Sequence, residues 1–177
     1  MRTHIVFTFM APDKPGLLEQ LAELVSAHNG SWLESRLARL GGQFTGIVQV
    51  ATARSDAQPL QSALLALEND VFKLAVIEEK TTKDNDQANT ASPTKQRIIE
   101  VLGNDRPGIV HELSRTLIKH HINVDELTSE LRSAPMSGEL LFDAQLQITV
   151  PAEINTEQFE EELEEIADEL DLDIRLS

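Results

Sequence analysis

The chain contains no cysteine among its 177 residues, which excludes disulfides, thiol nucleophiles and thiolate metal ligands. Basic residues are also few: 15 lysines and arginines stand against 30 aspartates and glutamates, a formal net charge of −15. A nucleic-acid surface must attract phosphate through a basic face, so we expect no direct nucleic-acid binding. The apolar runs are far shorter than the roughly 20 residues of a membrane helix, and the N-terminus lacks the apolar core of a signal peptide. We therefore expect a cytoplasmic protein that contacts no membrane.

The sequence signatures of catalysis and metal binding are also missing. The five histidines form no His-Glu-x-x-His pattern, and the adjacent His120 and His121 would point about 100° apart on a helix. Helix surfaces or helix C-terminal caps are the expected places for the histidines. There is no Gly-x-Ser-x-Gly elbow and neither of the two glycine-rich phosphate loops. We expect no catalytic residue, no metal site and no cofactor, and hence no enzyme.

The acidic residues are concentrated in the second half of the chain. Residues 1–80 hold seven basic and nine acidic side chains, a net of −2, whereas residues 95–177 hold seven and nineteen, a net of −12. Between Glu153 and Asp173 there are eleven carboxylates and no lysine or arginine. This run is either a solvated helix face or a docking surface for a basic partner.

An internal duplication divides the chain. Residues 81–94 contain only two apolar side chains, both alanine, and are predicted to form a flexible linker between a domain at 1–80 and a domain at 95–177. The segment Asp13–Leu18 (DKPGLL) aligns with Asp105–Val110 (DRPGIV) at an offset of 92, and the offset continues through later pairs. Two copies are too few for a solenoid, so paired domains are the natural interpretation.

Each half predicts the same order of elements from its apolar periodicity. In the first half we predict a strand at Ile5–Phe9, a helix on Leu17, Leu18, Leu21, Leu24 and Val25, two strands about a Gly41-Gly42 turn, a helix on Leu60, Leu64 and Leu67, and a strand at Val71–Ile77. The second half predicts strands at Ile98–Leu102, Val124–Leu131, Leu140–Val150 and Leu172–Leu176, and helices on Ile109–Ile118 and on Phe159–Leu170. The second of these helices is predicted to be capped by Asn155, with Gln158 at the capping-box position. The order βαββαβ, twice, indicates an α+β fold of two ferredoxin-like domains, each an antiparallel sheet with two helices on one face.

The turn between the first strand and first helix of each half is the most informative motif. Asp13 and Asp105 are predicted helix caps, and prolines that follow suit the first turn. Glycine in a first turn costs about 1 kcal/mol relative to alanine, so its recurrence at Gly16 and Gly108 suggests that something approaches the backbone closely. Free N–H groups at the helix start suit a carboxylate, and the aspartate suits an ammonium group. Together they could recognise a zwitterionic amino acid.

The βαββαβ order with an Asp-x-Pro-Gly-(Leu/Ile) turn resembles the ACT domain family, small regulatory modules that bind amino acids. The tandem layout, including Ala134–Phe142, resembles the transcriptional repressors of the glycine cleavage system within that family. The resemblance implies repression through contact with a transcription activator protein, modulated by a small amino acid, glycine being suspected. It also makes a homodimer possible, because ACT sheets tend to pair side by side.

The resemblance carries ligand-binding positions onto both loops, namely Asp13, Pro15, Gly16 and Leu17, and Asn104, Asp105, Pro107, Gly108 and Ile109. Asn104 offers a donor and an acceptor where Pro12 offers no donor, so the second loop is expected to be the better polar site. Three alternatives remain open at this point: an amino-acid-sensing partner of a metabolic enzyme, a small acyl-phosphate hydrolase on the same scaffold, and an assembly module without a ligand.

Overall fold

The computed structural model describes residues 2–79, 94–133 and 138–177. The chain divides into two compact units, Met1–Asp86 and Gln87–Ser177. The linker predicted at residues 81–94 lies outside the described residues except for Thr94, which is the first residue of a strand. Residues 134–137 of the hairpin segment that ends at Phe142 also lie outside them.

The first unit contains β1 (Arg2–Pro12), α1 (Leu17–Ala27), β2 (Ser31–Leu40), β3 (Gln43–Ala53), α2 (Arg54–Leu65) and β4 (Lys73–Glu79). Its four strands form one antiparallel sheet in the order β2-β3-β1-β4. Alternate residues of β1, Ile5, Phe7 and Phe9, are buried on the face that packs against the helices. The Gly41-Gly42 turn joins β2 to β3 with φ of 57° and 75°, as a right-twisted two-residue hairpin requires.

The second unit contains β5 (Thr94–Asn104), α3 (Ile109–Lys119), β6 (Asn123–Ser133), β7 (Leu140–Pro151), α4 (Thr156–Leu170) and β8 (Leu172–Leu176). Its sheet has the equivalent antiparallel order β6-β7-β5-β8. The core joins Ile99 and Val101 of β5 to the buried stripes of both helices, including Leu113 and Phe159. The predicted fold, βαββαβ twice with helices on one face of each sheet, is thereby confirmed.

The start of α4 is capped as predicted, but only by one half of the capping box. The Asn155 side chain accepts a hydrogen bond from the backbone N–H of Gln158 at 3.2 Å. The Gln158 side chain donates to Glu162 Oε1 at 3.2 Å, one helical turn ahead, instead of turning back to the cap.

Several predicted details of the elements are wrong. Leu18, Val110 and Ile118 are exposed, because the buried stripes of α1 and α3 run through other positions, such as Leu21 and Leu117. The helix predicted on Leu60, Leu64 and Leu67 ends at Leu65. The last strand of the first unit begins at Lys73 and not at residue 71. The side chain of Asn69 accepts hydrogen bonds from the N–H groups of residues 71 and 72, which holds them in a turn.

Each sheet has a second face that its own helices do not cover. The face of the first unit is called the first open face and mixes apolar with polar residues: Val6, Met10, Ala38, Ile47, Ala75 and Ile77 lie there together with Thr8, Arg36, Thr45, Gln49 and Lys73. The face of the second unit is called the second open face and is richer in charged residues: Glu100, Glu130, Arg132, Asp143, Asp173 and Arg175 lie there together with Ile98 and Leu102.

Candidate functional site: the strand-to-helix loops

The two strand-to-helix loops have the same backbone conformation. Gly16 and Gly108 are the N-caps of α1 and α3, with φ of 91° and 104°, and no side chain caps either helix. The first helical hydrogen bonds run from Gln20 N–H to the Gly16 carbonyl at 2.9 Å and from Glu112 N–H to the Gly108 carbonyl at 3.0 Å. The N–H groups of the three residues after each glycine therefore have no acceptor within the helix. They form the positive end of the helix dipole.

The capping role predicted for Asp13 and Asp105 is wrong. Both lie three residues before the N-cap glycine, and the two prolines, Pro15 and Pro107, directly precede that glycine instead of entering the helix. The Asp13 backbone N–H donates to the Gly42 carbonyl at 2.9 Å, and the Asp105 N–H donates to the Leu140 carbonyl at 3.0 Å. The left-handed glycine turns the chain into the helix, while the aspartate N–H bonds the loop to the β2–β3 turn in the first unit and to the start of β7 in the second.

The reason for glycine at these caps is conformational. A Cβ at Gly16 or Gly108 would meet no heavy atom within 4 Å among the described residues, so crowding by the protein itself does not explain either glycine. The positive φ, near 100°, explains both glycines, because residues with a side chain rarely adopt it. The space beside each glycine is open, which leaves room for a ligand.

The two loops differ in the state of their carboxylate. Arg39 on β2 places its Nε 2.5 Å from Asp13 Oδ2, so the first aspartate is already paired. The residue equivalent to Arg39 at the offset of 92 is Leu131 on β6, and Asp105 has no ion pair within residues 94–133 and 138–177. Of the two carboxylates, the one in the second loop is available to a cation.

The structure places the predicted binding residues together at each loop, but not all offer a side chain. Ile109 is buried in the core of the second unit and Leu17 is half-buried against the core of the first, so these two can present only backbone N–H groups. The remainder are exposed, namely Asp13, Pro15, Gly16, Asn104, Asp105, Pro107 and Gly108. Sequence reasoning missed Arg39, although comparing the halves at the offset of 92 would have shown the contrast with Leu131.

A polar cluster that sequence reasoning also missed joins the end of α3 to α4. Glu162 accepts a hydrogen bond from Lys119 Nζ at 2.7 Å, and its Oε2 lies 3.0 Å from His120 Nε2. The side chains of His120 and Glu162 are only 9% and 15% exposed. Hydrogen bonds from Lys119 and then His120 hold the pKa of Glu162 below its ordinary value. His120 is the C-cap of α3 and His28 that of α1, which confirms the expected placement of these histidines at helix ends.

Other candidate features lie away from the loops. The second open face is concave, with a volume of about 520 Å³, and is lined by charged side chains that include Glu100 and Arg132. Within the described ranges, no group of three histidine, aspartate or glutamate residues is arranged to hold a metal ion. No helix in the same part of the chain is long and apolar enough to cross a membrane.

Comparison with known proteins agrees with the duplicated fold. The model of the ACT domain matches residues 3–71 and 95–177. The chain is similar to the glycine cleavage system transcriptional repressor of Escherichia coli strain K12, with 26% identity over 170 residues that span 94% of this chain and 85% of the relative. The repressor of the same name from Shigella flexneri gives the same figures.

Two solved structures show the same tandem fold. A crystal structure of an unknown protein from Galdieria sulphuraria covers 100% of this chain and 98% of its own, with a TM-score of 0.83 and 25% identity. A protein described as a candidate glycine cleavage system transcriptional repressor covers 100% and 97%, with a TM-score of 0.66 and 18% identity. The similarity to a repressor supports a regulatory role. With both of its halves matched, the chain belongs to the ACT domain family.

Proposed function

We propose that the chain is an amino-acid-responsive transcriptional regulator of the glycine cleavage system that acts through a protein partner. The similarity to the repressor supports the pathway. The formal charge of −15 opposes contact with DNA phosphates, so a transcription activator protein is the natural mediator. The site of amino-acid binding is the second loop, at Asn104, Asp105, Pro107, Gly108 and Ile109.

The observation that carries the ligand proposal is the Asp105 carboxylate, which has no ion pair among the described residues and lies beside a helix start that no side chain caps. The carboxylate accepts the ammonium group of an amino acid, while the N–H groups of Ile109 and Val110 donate to its carboxylate. Asn104, at the end of β5, can donate to or accept from either group. A small amino acid such as glycine needs no side-chain pocket, and the open space over Gly108 provides none.

The first loop is the weaker site in this proposal. Arg39 holds the Asp13 carboxylate, so an ammonium group would have to displace a guanidinium that is already in place. Pro12 precedes Asp13 where Asn104 precedes Asp105, and Pro12 has no N–H to donate.

Regulation follows from linkage between the two binding events. A ligand that binds one conformation of the loop more tightly shifts the protein toward that conformation. If this changes the affinity for the partner by some factor, the bound partner changes the affinity for the ligand by the same factor. Glycine bound at the second loop would thus change the affinity of this protein for the activator.

Isothermal calorimetry against the standard amino acids tests the ligand site. Wild type is expected to bind glycine selectively, and Asp105→Asn is expected to weaken binding by about 10–100-fold, since a hydrogen bond to a charged group is worth about 1.5–3 kcal/mol. Asp13→Asn is the matched control, because it makes the same chemical change in the equivalent loop. Equal affinities for wild type and a folded Asp105→Asn variant would remove the site.

The partner proposal has its own test. In a mobility-shift experiment with operator DNA, the chain alone should produce no complex at physiological salt, whereas the purified activator with the chain should give a complex that glycine alters. Tight binding of DNA by the chain alone would refute partner-mediated action. Binding of a metabolic enzyme in place of the activator would show that the protein regulates that enzyme and not transcription.

A further inference from the structure

A small cavity in the second unit lies between the first residues of β5 and the start of α4, and we call it the β5–α4 cavity. Its volume is about 40 Å³, space for roughly three water molecules or one small group of similar size. Apolar side chains, among them Val150, Ile154 and Phe159, form much of its wall. Two basic side chains of β5, Lys95 and Arg97, also line it. The cavity thus joins an apolar wall to a pair of cations.

These two cations have no carboxylate partner among residues 2–79, 94–133 and 138–177. Carboxylates are abundant in this unit, because residues 95–177 hold seven basic and nineteen acidic side chains. Four of the seven basic side chains contact a carboxylate, namely Arg115, Lys119, Arg132 and Arg175. Lys95 and Arg97 instead lie two residues apart on the same side of β5, which concentrates positive charge at the cavity.

The fold itself does not require cations at these two positions. At the offset of 92, the corresponding residues of the first unit are Thr3 and Ile5, which are only 2% and 0% exposed. In that unit α2 begins directly after β3, and Ile5 lies in the hydrophobic core. In the second unit residues 152–155 separate β7 from α4, and Ile154 of this connection lines the cavity. The same two positions therefore belong to the core in one unit and to a cationic cavity in the other.

The two cations suit a negatively charged oxygen group. Arg97 is half-buried, and a guanidinium that is partly removed from water gains stability from an anionic partner. Its planar fork of N–H donors matches a carboxylate or a phosphate group, and the more exposed Lys95 adds an ammonium group. The hydroxyl group of Thr156, which also lines the cavity, supplies a further donor.

We infer that the β5–α4 cavity binds a small oxyanion, the carboxylate or phosphate group of a small molecule, between Arg97 and Lys95. The apolar wall beside the two cations accepts a short hydrocarbon group on the same molecule.

This site is separate from the proposed amino-acid site. Lys95 and Arg97 stand near the beginning of β5, and Asn104 stands at its end. At about 3.3 Å per residue, Lys95 and Asn104 are about 30 Å apart along the strand. A small oxyanion in the β5–α4 cavity therefore does not contact the second loop, and each site can be tested without the other.

Nuclear magnetic resonance of the isotope-labelled full chain tests the site. Sodium phosphate and sodium propionate serve as separate probes, and sodium chloride holds the ionic strength constant so that nonspecific attraction is screened equally in every sample. Either probe should give saturable shifts of the amide signals of residues 95–97 and 150–156. Tighter binding of phosphate would identify a phosphate ligand, and tighter binding of propionate would identify a carboxylate that carries a short hydrocarbon group.

Substitutions at the two cations test their role. Arg97→Gln and Lys95→Gln should each weaken binding of the probe by about tenfold or more, because each removes a charged hydrogen-bond donor. Arg97→Lys keeps the positive charge and should retain part of the affinity. Arg115→Gln is the matched control, since it removes one positive charge from an exposed side chain of the same unit, and it should bind the probe as wild type does.

Circular dichroism verifies that the variants are folded, and the exposed Lys95 can be replaced without loss of core packing. Two results would overturn the inference: no saturable shift at the cavity with either probe, or a loss of affinity in Arg97→Gln that Arg115→Gln matches. Neither result bears on the amino-acid site, because glycine binding is measured with the Asp105→Asn variant at the other end of β5.

Discussion

Replacement of Gly108 by alanine will destabilise the second unit through its backbone alone. The glycine has φ of 104° and ψ of −15°, in the left-handed half of conformational space. A Cβ at this position meets no heavy atom within 4 Å, so no steric contact adds to the cost. Holding an alanine there costs about 1–2 kcal/mol. Gly16→Ala should cost the same in the first unit, because Gly16 has φ of 91° and equally open space.

The assay is thermal and urea unfolding of the full chain. For a unit of fewer than 100 residues, 1 kcal/mol corresponds to a change in Tm of about 4–8 °C, so each alanine should lower the transition of its own unit by about 5–15 °C. Trp32, the only tryptophan, reports the first unit by fluorescence, while circular dichroism reports both units. A loss below about 0.5 kcal/mol in either variant would refute the argument that the positive φ is what requires glycine.

The same pair of variants separates stability from ligand binding. The methyl group of Gly108→Ala projects into the space where the proposed amino acid would lie, whereas that of Gly16→Ala projects beside a loop whose aspartate is already paired. Both variants are therefore expected to lose stability equally, but only Gly108→Ala should weaken glycine binding. Unchanged glycine affinity in a folded Gly108→Ala protein would exclude the second loop.

Three further predictions test other parts of the structure. Because hydrogen bonds in the folded state lower the pKa of Glu162, its stabilising contribution is complete above the unfolded pKa of about 4.3 and is lost as the pH falls through the folded pKa. Urea unfolding should show Glu162→Gln less stable than wild type at pH 7 but converging with it as the pH falls through the folded pKa, and a difference in stability independent of pH would contradict this. Asn155→Ala should lower the free energy of unfolding by about 0.5–2 kcal/mol because it removes the cap of α4, whereas Asn155→Ser should keep most of that stability. An equal loss of stability in both variants would rule out capping. Charge reversal on the exposed face of α4, at Glu160, Glu161, Glu164 and Glu165, should weaken partner binding and reduce the salt dependence of that binding. Unchanged binding would show that this face is not the docking surface.

The parts of the structure that could be predicted from sequence are those with local causes. The buried alternation of β1 and the helical stripe of α4 follow from apolar spacing within about ten residues. The Gly41-Gly42 hairpin and the Asn155 cap depend on four or five consecutive residues. Each of these was predicted correctly because no distant part of the chain decides it.

The errors lie where a distant contact competes with a local preference. Asp13 has the chemistry of a helix cap, but its backbone is bonded to Gly42 and its side chain to Arg39, both more than twenty residues away. Asn69 likewise delays the start of β4 by bonding to the N–H groups of residues that had suitable strand propensity. Secondary-structure propensity does not predict these hydrogen bonds and ion pairs, because the fold decides which groups come within bonding distance.

The sequence by itself determined the duplication, the order of elements, the acidic second half and the two glycine turns, because periodicity, composition and repeated motifs are properties of neighbouring residues. The tertiary structure alone decided which aspartate is available and which residues meet on the open face of each sheet. Strand pairing places Arg39 against Asp13 and leaves Asp105 without a cation among the described residues, although the two motifs are almost identical. It also gathers Ile47 and Ile77, thirty residues apart, into one surface, because antiparallel strands bring distant residues side by side and aim their side chains to the same side.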